Sequence, residues 1–300
     1  MALFPVARAA RRAEGDGRRT PLSAAARAVT VLELGERMGI RETKVESLGE
    51  LIDRVTPEKP DTITGRRRDA CVYHGSADVA RSLLTSLDRL GGIKPAHTKT
   101  GLEEHILRNF ARYSRPYLQH ATNEWELLVE AQHHGVPTRL LDWSYSPLVA
   151  AHFATLGDSR ADRAIWRLDW KRVHRKFGFP ELALLIDDLN RLVGKDGKFT
   201  PWRLIDEGSH VKPFACMIEP PTLDARISAQ AATFTLCSDT TRSLDEFLAD
   251  HGLGDALSMF VIPERATTYV RDQLDLVGMD ERRLFPDLDG VAEEMRRYYS

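Results

Sequence analysis

Residues 132–154 read QHHGVPTRLLDWSYSPLVAAHFA, a stretch unusually rich in reactive and aromatic side chains. Gly135 and Pro137 bend the chain, and Pro147 stands where a helix would begin. Histidine, arginine, aspartate, tryptophan, tyrosine and serine all occur here beside apolar anchors. This combination predicts a site at a loop-to-helix junction, where polar groups point into a pocket and the helix start favours anions.

The bulk composition is that of a soluble globular protein. The chain has 300 residues, 42% of them hydrophobic, which suits one large domain or one domain with an extension. The formal net charge of -2 gives no global field that would attract nucleic acid or a membrane surface. No uninterrupted apolar run reaches the ~18 residues that a membrane span needs, so we expect no membrane partner.

The cysteines indicate a reducing compartment. Cys71, Cys216 and Cys237 are widely spaced, odd in number and form no CxxC pair. This pattern argues against a disulfide framework and against a thiolate zinc site. We therefore expect a cytoplasmic protein whose cysteines are buried as small hydrophobic residues.

Residues 1–40 differ in composition from the remainder, and we treat them as an extension ahead of a domain over 41–300. They are rich in alanine and carry a cluster of arginines: Arg8, Arg11, Arg12, Arg18, Arg19 and Arg27. No long apolar stretch accompanies the arginines, so a secretory signal is not expected. A poorly ordered tail is the favoured interpretation; a transit peptide or a basic arm that touches nucleic acid is the alternative.

The spacing of apolar residues predicts the secondary structure. Helices are expected over 43–56, 78–90, 101–111, 123–132, 147–155, 180–194, 267–277 and 290–299. Strands are expected over 70–76, 163–168, 214–218, 225–236 with a bend near Ala231, and 259–262. Thr122 or Asn123 is placed to cap the fourth helix. These elements predict an α+β fold, a single domain with a mixed or antiparallel core of short strands and a helical N-terminal portion.

Residues 132–154 resemble the signature of the FRG domain, a bacterial and phage-associated module. That signature reads approximately Gln-His-x-Gly-x-Pro-Thr-Arg-Leu-Leu-Asp-Trp, followed by Ser-Pro and an apolar helix. Further segments resemble the family in the same order, namely 45–51, 164–169, 219–230 and 284–290. The resemblance spans residues 43–298, and it implies a toxin or antiphage setting.

Two positions depart from the family pattern. The family is named after a Phe-Arg-Gly tripeptide at the end of an early strand, where this chain has Tyr73-His74-Gly75. A glycine usually follows the position of Gln230, where this chain has Ala231. The first change replaces an arginine by a histidine in a motif that defines the family.

The order of these motifs is similar to that of ADP-ribosyltransferase folds, and this likeness implies a use of NAD as substrate. Motif one corresponds to Tyr73, His74, Gly75 and Ser76; motif two to Trp143, Ser144, Tyr145 and Ser146; motif three to Arg226 and Gln230. By that likeness His74, Tyr145 and Gln230 are the catalytic residues. The cofactor-binding residues are Tyr73, Gly75, Ser76, Arg139, Asp142, Trp143, Ser144, Ser146 and Arg226.

The chemistry of these side chains suits a transferase or glycohydrolase that breaks the bond between ribose and nicotinamide. His74 can donate and accept hydrogen bonds to a ribose diol, aromatic rings can stack on a flat ring, and Arg139 can neutralise a pyrophosphate. Gln230 can bind a hydroxyl but cannot act as a carboxylate base, and Glu219 is the nearest acid in that segment. The acceptor, whether protein, nucleic acid or water, is not indicated.

Structural interpretations compete with each of these roles. Arg139 with Asp142 can form a buried ion pair, Trp143 and Phe153 can be core anchors, and Gln230 can make a polar contact beside a strand. Metal binding by His133, His134, Asp142 and His152 is disfavoured because no HxxxH or HExxH spacing occurs. The functional alternative is a non-catalytic module that recognises nucleotides or nucleic acid, with Arg66, Arg67 and Arg68 contacting phosphates.

Overall fold

The computed structural model describes residues 39–90, 98–118, 123–157, 159–186, 188, 212–220 and 225–299. Its centre is a seven-stranded sheet with the order β1-β7-β4-β2-β3-β6-β5. The strands are β1 (Arg41–Lys44), β2 (Val72–Ser76), β3 (Leu140–Ser144), β4 (Arg163–Leu168), β5 (Ala215–Ile218), β6 (Ala232–Cys237) and β7 (Leu257–Ile262). The β1–β7 pair is parallel, and the other neighbours are antiparallel.

Ten α-helices occur in the described residues, and they surround this sheet. They are α1 (Leu48–Val55), α2 (Lys99–Ser114), α3 (Glu124–His133), α4 (Pro147–Ala154), α5 (Trp170–Phe177), α6 (Ala225–Ala229), α7 (Leu244–Asp250), α8 (Thr267–Leu276), α9 (Glu281–Leu284) and α10 (Leu288–Tyr298). No helix in these residues is long and apolar enough to cross a membrane. The mixed α+β composition that the sequence predicts is confirmed.

Both faces of the sheet are covered, so the strands alternate between two cores. On one face, Leu140 and Phe234 pack with Leu128 of α3, while Tyr73 and Ile165 pack with the alanines of α4. On the opposite face, apolar side chains of β3, β4 and β7 pack against Trp170 of α5 and against α7. The result is a three-layer arrangement in which β2 and β3 lie at the centre.

Local sequence signals explain where several helices begin and end. The Asn123 side chain accepts a hydrogen bond from the Glu126 backbone N–H at 2.9 Å and so caps α3. Ser146 caps α4, and Pro147 occupies its first position, as the sequence predicts. Gly278 follows α8 with a φ of 69°, a conformation that ends helices and favours glycine.

The predicted helix over 78–90 is wrong, because side chains take the backbone hydrogen bonds that a helix would use. The Leu83 N–H donates to Asp245 Oδ1 at 2.8 Å, and the Thr85 N–H donates to Asp88 Oδ2 at 2.9 Å. The segment therefore forms turns and irregular chain. Aspartate and threonine offer the backbone these local alternatives to a helix.

Two further elements differ from the prediction. The helix predicted over 43–56 starts only at Leu48, since residues 41–44 pair with β7 as β1. The strand predicted over 225–236 is helix α6 followed by β6, and the expected bend lies at Ala231, whose φ is 44°. That left-handed conformation reverses the chain between the two elements.

Some predictions lie outside the described residues, and some elements were missed. Residues 1–38 and most of 187–194 are not described, so the extension and the end of the helix predicted over 180–194 stay predictions. Of its described residues, 181–185 are not helical, whereas Ile186 and Asp188 are. The sequence did not predict β1, β3, α5, α7 or α9.

Candidate functional site

The centre of the sheet contains an opening between neighbouring strands. β2 pairs with β4 over five residues, and β3 pairs with β6 over five residues. In contrast, β2 and β3 share a single residue pair, Tyr73 with Ser144. The two strands therefore part beyond this pair, towards the carboxyl end of β2 and the amino end of β3.

His74 lies at this opening, and its side chain replaces a strand-to-strand hydrogen bond. Its Nδ1 lies 2.8 Å from the backbone carbonyl oxygen of Asp142. A carbonyl only accepts hydrogen bonds, so Nδ1 carries the hydrogen and donates it. Burial lowers the pKa of His74 to about 4, so the ring is neutral at pH 7. The ring also packs edge-on against Trp143, with 5.8 Å between the ring centres.

Gly75 is required by a close approach of helix α4. A Cβ at this position would lie 2.1 Å from the Ala150 carbonyl oxygen and 2.7 Å from the Ala154 backbone nitrogen. These are backbone atoms, so only a shift of the helix would make room. The glycine of the tripeptide thus lets the helix that follows the signature pack directly on β2.

Asp142 places a carboxyl group at the same opening. The side chain is buried, and its Oδ1 accepts a hydrogen bond from Gln132 Nε2 at 2.8 Å. Burial raises the pKa of Asp142 to about 8, although the Gln132 bond and the nearby charge of Arg89 oppose this rise. A carboxyl group that titrates near neutral pH can meet a ligand either as a neutral acid or as a carboxylate.

An arginine in the segment that follows β2 lies close to these groups. Arg89 is exposed and interacts electrostatically with His74 and Asp142, and the exposed Arg81 interacts in turn with Arg89. The Arg89 guanidinium donates to the Leu84 carbonyl at 2.7 Å. The segment is held to the start of β3 by a bond from the Leu87 N–H to the Thr138 carbonyl at 3.1 Å. The opening therefore has a cationic rim.

Arg139 is not paired with Asp142, contrary to the structural alternative drawn from the sequence. Its side chain is only 1% exposed, and its Nε donates to the carboxylate of Glu103 from α2. The Arg139 backbone N–H donates to the same carboxylate at 2.7 Å. Arg139 and Leu141 also line a small pocket with Arg242. The pocket borders the opening but does not include His74.

Tyr145 lies at the far end of β3, away from the opening. The side chain is 38% exposed, and its hydroxyl donates to Glu219 Oε1 at 2.8 Å. Burial and the Glu219 carboxylate raise the pKa of Tyr145, so the hydroxyl stays protonated. Glu219, the nearest acid in the segment of Gln230, is thus in contact with Tyr145.

Four predicted site residues have buried side chains with structural contacts. The Trp143 indole donates to Thr235 Oγ1 at 3.0 Å, and Ser144 Oγ donates to the Gln230 carbonyl at 2.7 Å. Gln230 Nε2 donates to the Leu284 carbonyl at 3.0 Å, which ties it to α9. The Arg226 guanidinium lies 4.6 Å from the centre of the Phe285 ring. In this conformation none of the four presents its side chain at an open surface.

The remaining predicted residues shape the ends of β2 and α4. Tyr73 is buried, and its hydroxyl donates to Asp69. Ser76 Oγ donates to the Asp78 carbonyl at 2.9 Å, and Ser146 caps α4. The described residues contain no group of three or more histidine, cysteine or acidic side chains arranged to hold a metal ion.

The structure therefore brings together only part of the predicted site. His74, Gly75 and Asp142 lie where β2 and β3 part. Tyr145 lies beyond the other end of β3. Gln230 packs against α9, and Arg226 packs against Phe285, which follows α9. Sequence reasoning missed Arg89 and Glu103. Glu103 carries a detectable signal, since it lies four residues before Leu107 on the buried face of α2.

The family comparison covers the segments that form this opening. Residues 69–163 match the model of the FRG domain. This range includes the tripeptide at 73–75 and the signature at 132–154. No curated protein and no solved structure matched the chain. The likeness of the remaining segments to the family, and that of the motifs to ADP-ribosyltransferase folds, stay predictions.

Proposed function

We propose that this FRG domain-containing protein uses NAD as a substrate, as an ADP-ribosyltransferase or an NAD glycohydrolase, at the opening between β2 and β3. The observation that carries the proposal is the single residue pair between these two central strands. The two strands part beside His74, Gly75 and Asp142. The sequence motifs assign the same three residues to NAD.

Charge favours this substrate at the opening. Arg81 and Arg89 lie at its rim, and guanidinium groups bind the oxygens of a pyrophosphate well. His74 is neutral at pH 7, because burial lowers its pKa to about 4. A neutral ring can hydrogen-bond a ribose without repelling the cationic nicotinamide next to it.

Asp142 supplies the group that suits the reaction. When the bond between the ribose carbon and the nicotinamide nitrogen breaks, its electron pair leaves with nicotinamide and positive charge develops on the ribose. A carboxylate beside that carbon stabilises the charge. Asp142 has a raised pKa of about 8, and an approaching cationic nicotinamide would favour its ionised form. The acceptor that attacks the ribose carbon then loses its own proton.

The test is a titration of the full chain with NAD, in which tryptophan fluorescence and free nicotinamide are followed together. We expect saturable binding with nicotinamide release, and at least tenfold weaker binding in Arg89→Ala. His74→Ala should lose release. Arg175→Ala is the matched control, because Arg175 is an exposed arginine that pairs with Glu181 on another part of the surface.

The outcomes separate the proposed activities. Release in buffer alone indicates a glycohydrolase, whereas binding without release indicates either a non-catalytic sensor or a transferase that lacks its acceptor. If NAD at millimolar concentration does not bind, the proposal fails, and the non-catalytic recognition of nucleotides or nucleic acid becomes the better hypothesis. Thermal melts of each variant exclude unfolding as the cause of any loss.

A further inference from the structure

Helix α2 has a buried face and an opposite face made of basic side chains. Glu103 and Leu107 are buried. His105, Arg108 and Arg112 point to solvent, and Arg115 follows at the end of the helix, also exposed. Spacings of three, four and three residues place side chains on one side of a helix. We call the set His105, Arg108, Arg112 and Arg115 the α2 basic face.

The arginines of the α2 basic face lack acidic partners in the described part of the chain. Neither Arg108, Arg112 nor Arg115 forms an ion pair there. Many other exposed arginines do pair with carboxylates, including Arg172, Arg175, Arg242, Arg265, Arg282 and Arg296. Glu104, four residues before Arg108, is the exposed acidic side chain of α2, so the three arginines outnumber the carboxylate on this side of the helix.

Two tyrosines lie beside these arginines and are largely exposed. Tyr113 is 68% exposed and Tyr117 is 82% exposed. The Arg112 guanidinium lies 5.2 Å from the centre of the Tyr113 ring. An aromatic ring next to a guanidinium is a flat platform on which a base can stack.

We infer that the α2 basic face, together with Tyr113 and Tyr117, binds single-stranded nucleic acid. The arginines contact successive phosphates, and the tyrosines stack on unpaired bases, which a double helix would not offer. From His105 to Arg115 the helix rises about 15 Å, long enough for a few nucleotides. Contacts of this kind are not specific for sequence.

The buried face of α2 contacts the start of β3, and the α2 basic face points away from it. Glu103 binds both the backbone and the side chain of Arg139, the residue immediately before β3. The α2 basic face is therefore a surface separate from the opening between β2 and β3. The binding itself does not depend on the proposed use of NAD.

The test is fluorescence anisotropy of the full chain with a labelled twelve-nucleotide RNA of mixed sequence, its DNA equivalent and the matching duplex, without NAD. We expect binding to the single strands, with a log affinity that falls with log salt at a slope steeper than about -2 for three phosphate contacts. The triple variant Arg108→Gln, Arg112→Gln, Arg115→Gln should bind at least tenfold more weakly and make the slope shallower by about 2.

Two further variants separate charge from stacking. Tyr113→Ala with Tyr117→Ala should weaken binding at least fivefold at an unchanged salt slope, because stacking on one ring contributes about 1–3 kcal/mol. Replacing the three arginines by lysines should keep the salt slope. The control, Arg172→Gln with Arg175→Gln on α5, removes two exposed arginines that already pair with acids, and it should bind like the wild type.

Three outcomes would overturn the inference. They are no binding to either single strand, binding that the α2 variants leave unchanged, and binding to anionic phosphatidylserine vesicles with none to oligonucleotides. Because no NAD is present, each of these results leaves the proposed NAD site untouched.

Discussion

The two edges of strand β2 differ sharply although both lie inside the same sheet. Along one edge, all five residues of β2 pair with β4. Along the other edge, only Tyr73 pairs with β3, and the His74 side chain makes the next contact. The first edge is ordinary sheet, in which backbone hydrogen bonds hold the strands. The second edge relies on side chains, which can be arranged for a ligand in a way that a backbone ladder cannot.

Both strands next to β2 carry polar side chains with specific partners. In the β4 segment, RAIWRL, Arg163 is buried and donates to the Ala77 and Ser159 carbonyl oxygens, and Arg167 pairs with Asp69. The β3 segment, LLDWS, is buried throughout but includes Asp142 and Ser144, each of which has a specific hydrogen-bond partner. Buried polar residues of this kind cost stability unless every partner is present. The four predictions below test whether side chains hold the β3 edge.

The largest effect is expected from the buried ion pair that fastens the start of β3. Arg139→Leu leaves the Glu103 carboxylate buried without its partner and should lower the free energy of unfolding by about 3–5 kcal/mol. Urea denaturation measures this loss. Replacing both residues by leucine should cost less than either single change, since no unpaired charge remains.

The exposed ion pair between Arg175 and Glu181 serves as the comparison for that experiment. Breaking it should cost less than about 1 kcal/mol. An equal cost at the two pairs would show that the β3 edge does not depend on Glu103.

The next effect concerns the close packing of α4 on β2. Gly75→Ala brings a Cβ against backbone atoms of Ala150 and Ala154, and it should lower the free energy of unfolding by about 3 kcal/mol. Gly49→Ala in α1 is the control, because its Cβ would make an ordinary van der Waals contact with Ser47 Oγ at 3.8 Å, and alanine favours a helix by up to about 1 kcal/mol. Similar unfolding midpoints for the two variants would contradict the close approach of α4.

The third prediction uses the titration of Asp142. Its pKa in the folded protein is about 8, above the ordinary value of 3.8, so the folded state favours the protonated carboxyl. The stability that this provides is complete below about pH 4 and is lost as the pH rises through about 8. Relative to Asp142→Asn, the wild type should lose about 1.4 kcal/mol of unfolding free energy from pH 6 to pH 7.

His74 on the other side of the opening should respond in the opposite direction. Its pKa is lowered from 6.5 to about 4, so the stability from the neutral ring is present above pH 6.5 and is lost as the pH falls towards 4. Relative to His74→Gln, the free energy of unfolding of the wild type should therefore decrease as the pH falls from 6.5 towards 4. If the unfolding free energies of Asp142→Asn and His74→Gln change with pH in parallel with that of the wild type, the Asp142 and His74 side chains are not buried as described.

The smallest effect is expected at the far end of β3. Tyr145→Phe removes the bond to Glu219 at a partly exposed position, and it should cost less than about 1 kcal/mol. Tyr73→Phe, which removes a buried hydroxyl bonded to Asp69, should cost more. A larger loss at Tyr145 would mean that the Tyr145–Glu219 contact, rather than the opening, fixes the conformation of β3.

The sequence predicted the elements that have their own local signals. Strand β2 ends in a small and aromatic run before Ser76, α3 has an asparagine cap, and α4 has a proline at its first turn. Strand β3 could not be predicted in the same way, because both of its faces are buried and its residues do not alternate. Helix α5 was missed although Gly178 ends it in the expected left-handed conformation.

The candidate site was predictable only in part, and for a physical reason. The tripeptide and the signature lie far apart in the chain, and their residues meet because β2 and β3 are neighbours in the sheet. Sequence alone does not show that the two strands part after one pair, since this depends on the packing of α4 and on the hydrogen bond of His74. It also does not show that Trp143 and Gln230 turn into the core.

One backbone position has a consequence for how this chain can be changed. Ala231 joins α6 to β6 with a φ of 44°, the only left-handed residue other than glycine among those described. Glycine adopts this conformation without steric cost. The alanine costs roughly 1 kcal/mol in a left-handed conformation. Ala231→Gly should therefore stabilise this chain. The turn itself is already held to the end of β3, because the Tyr145 backbone N–H donates to the Ala231 carbonyl oxygen at 3.0 Å.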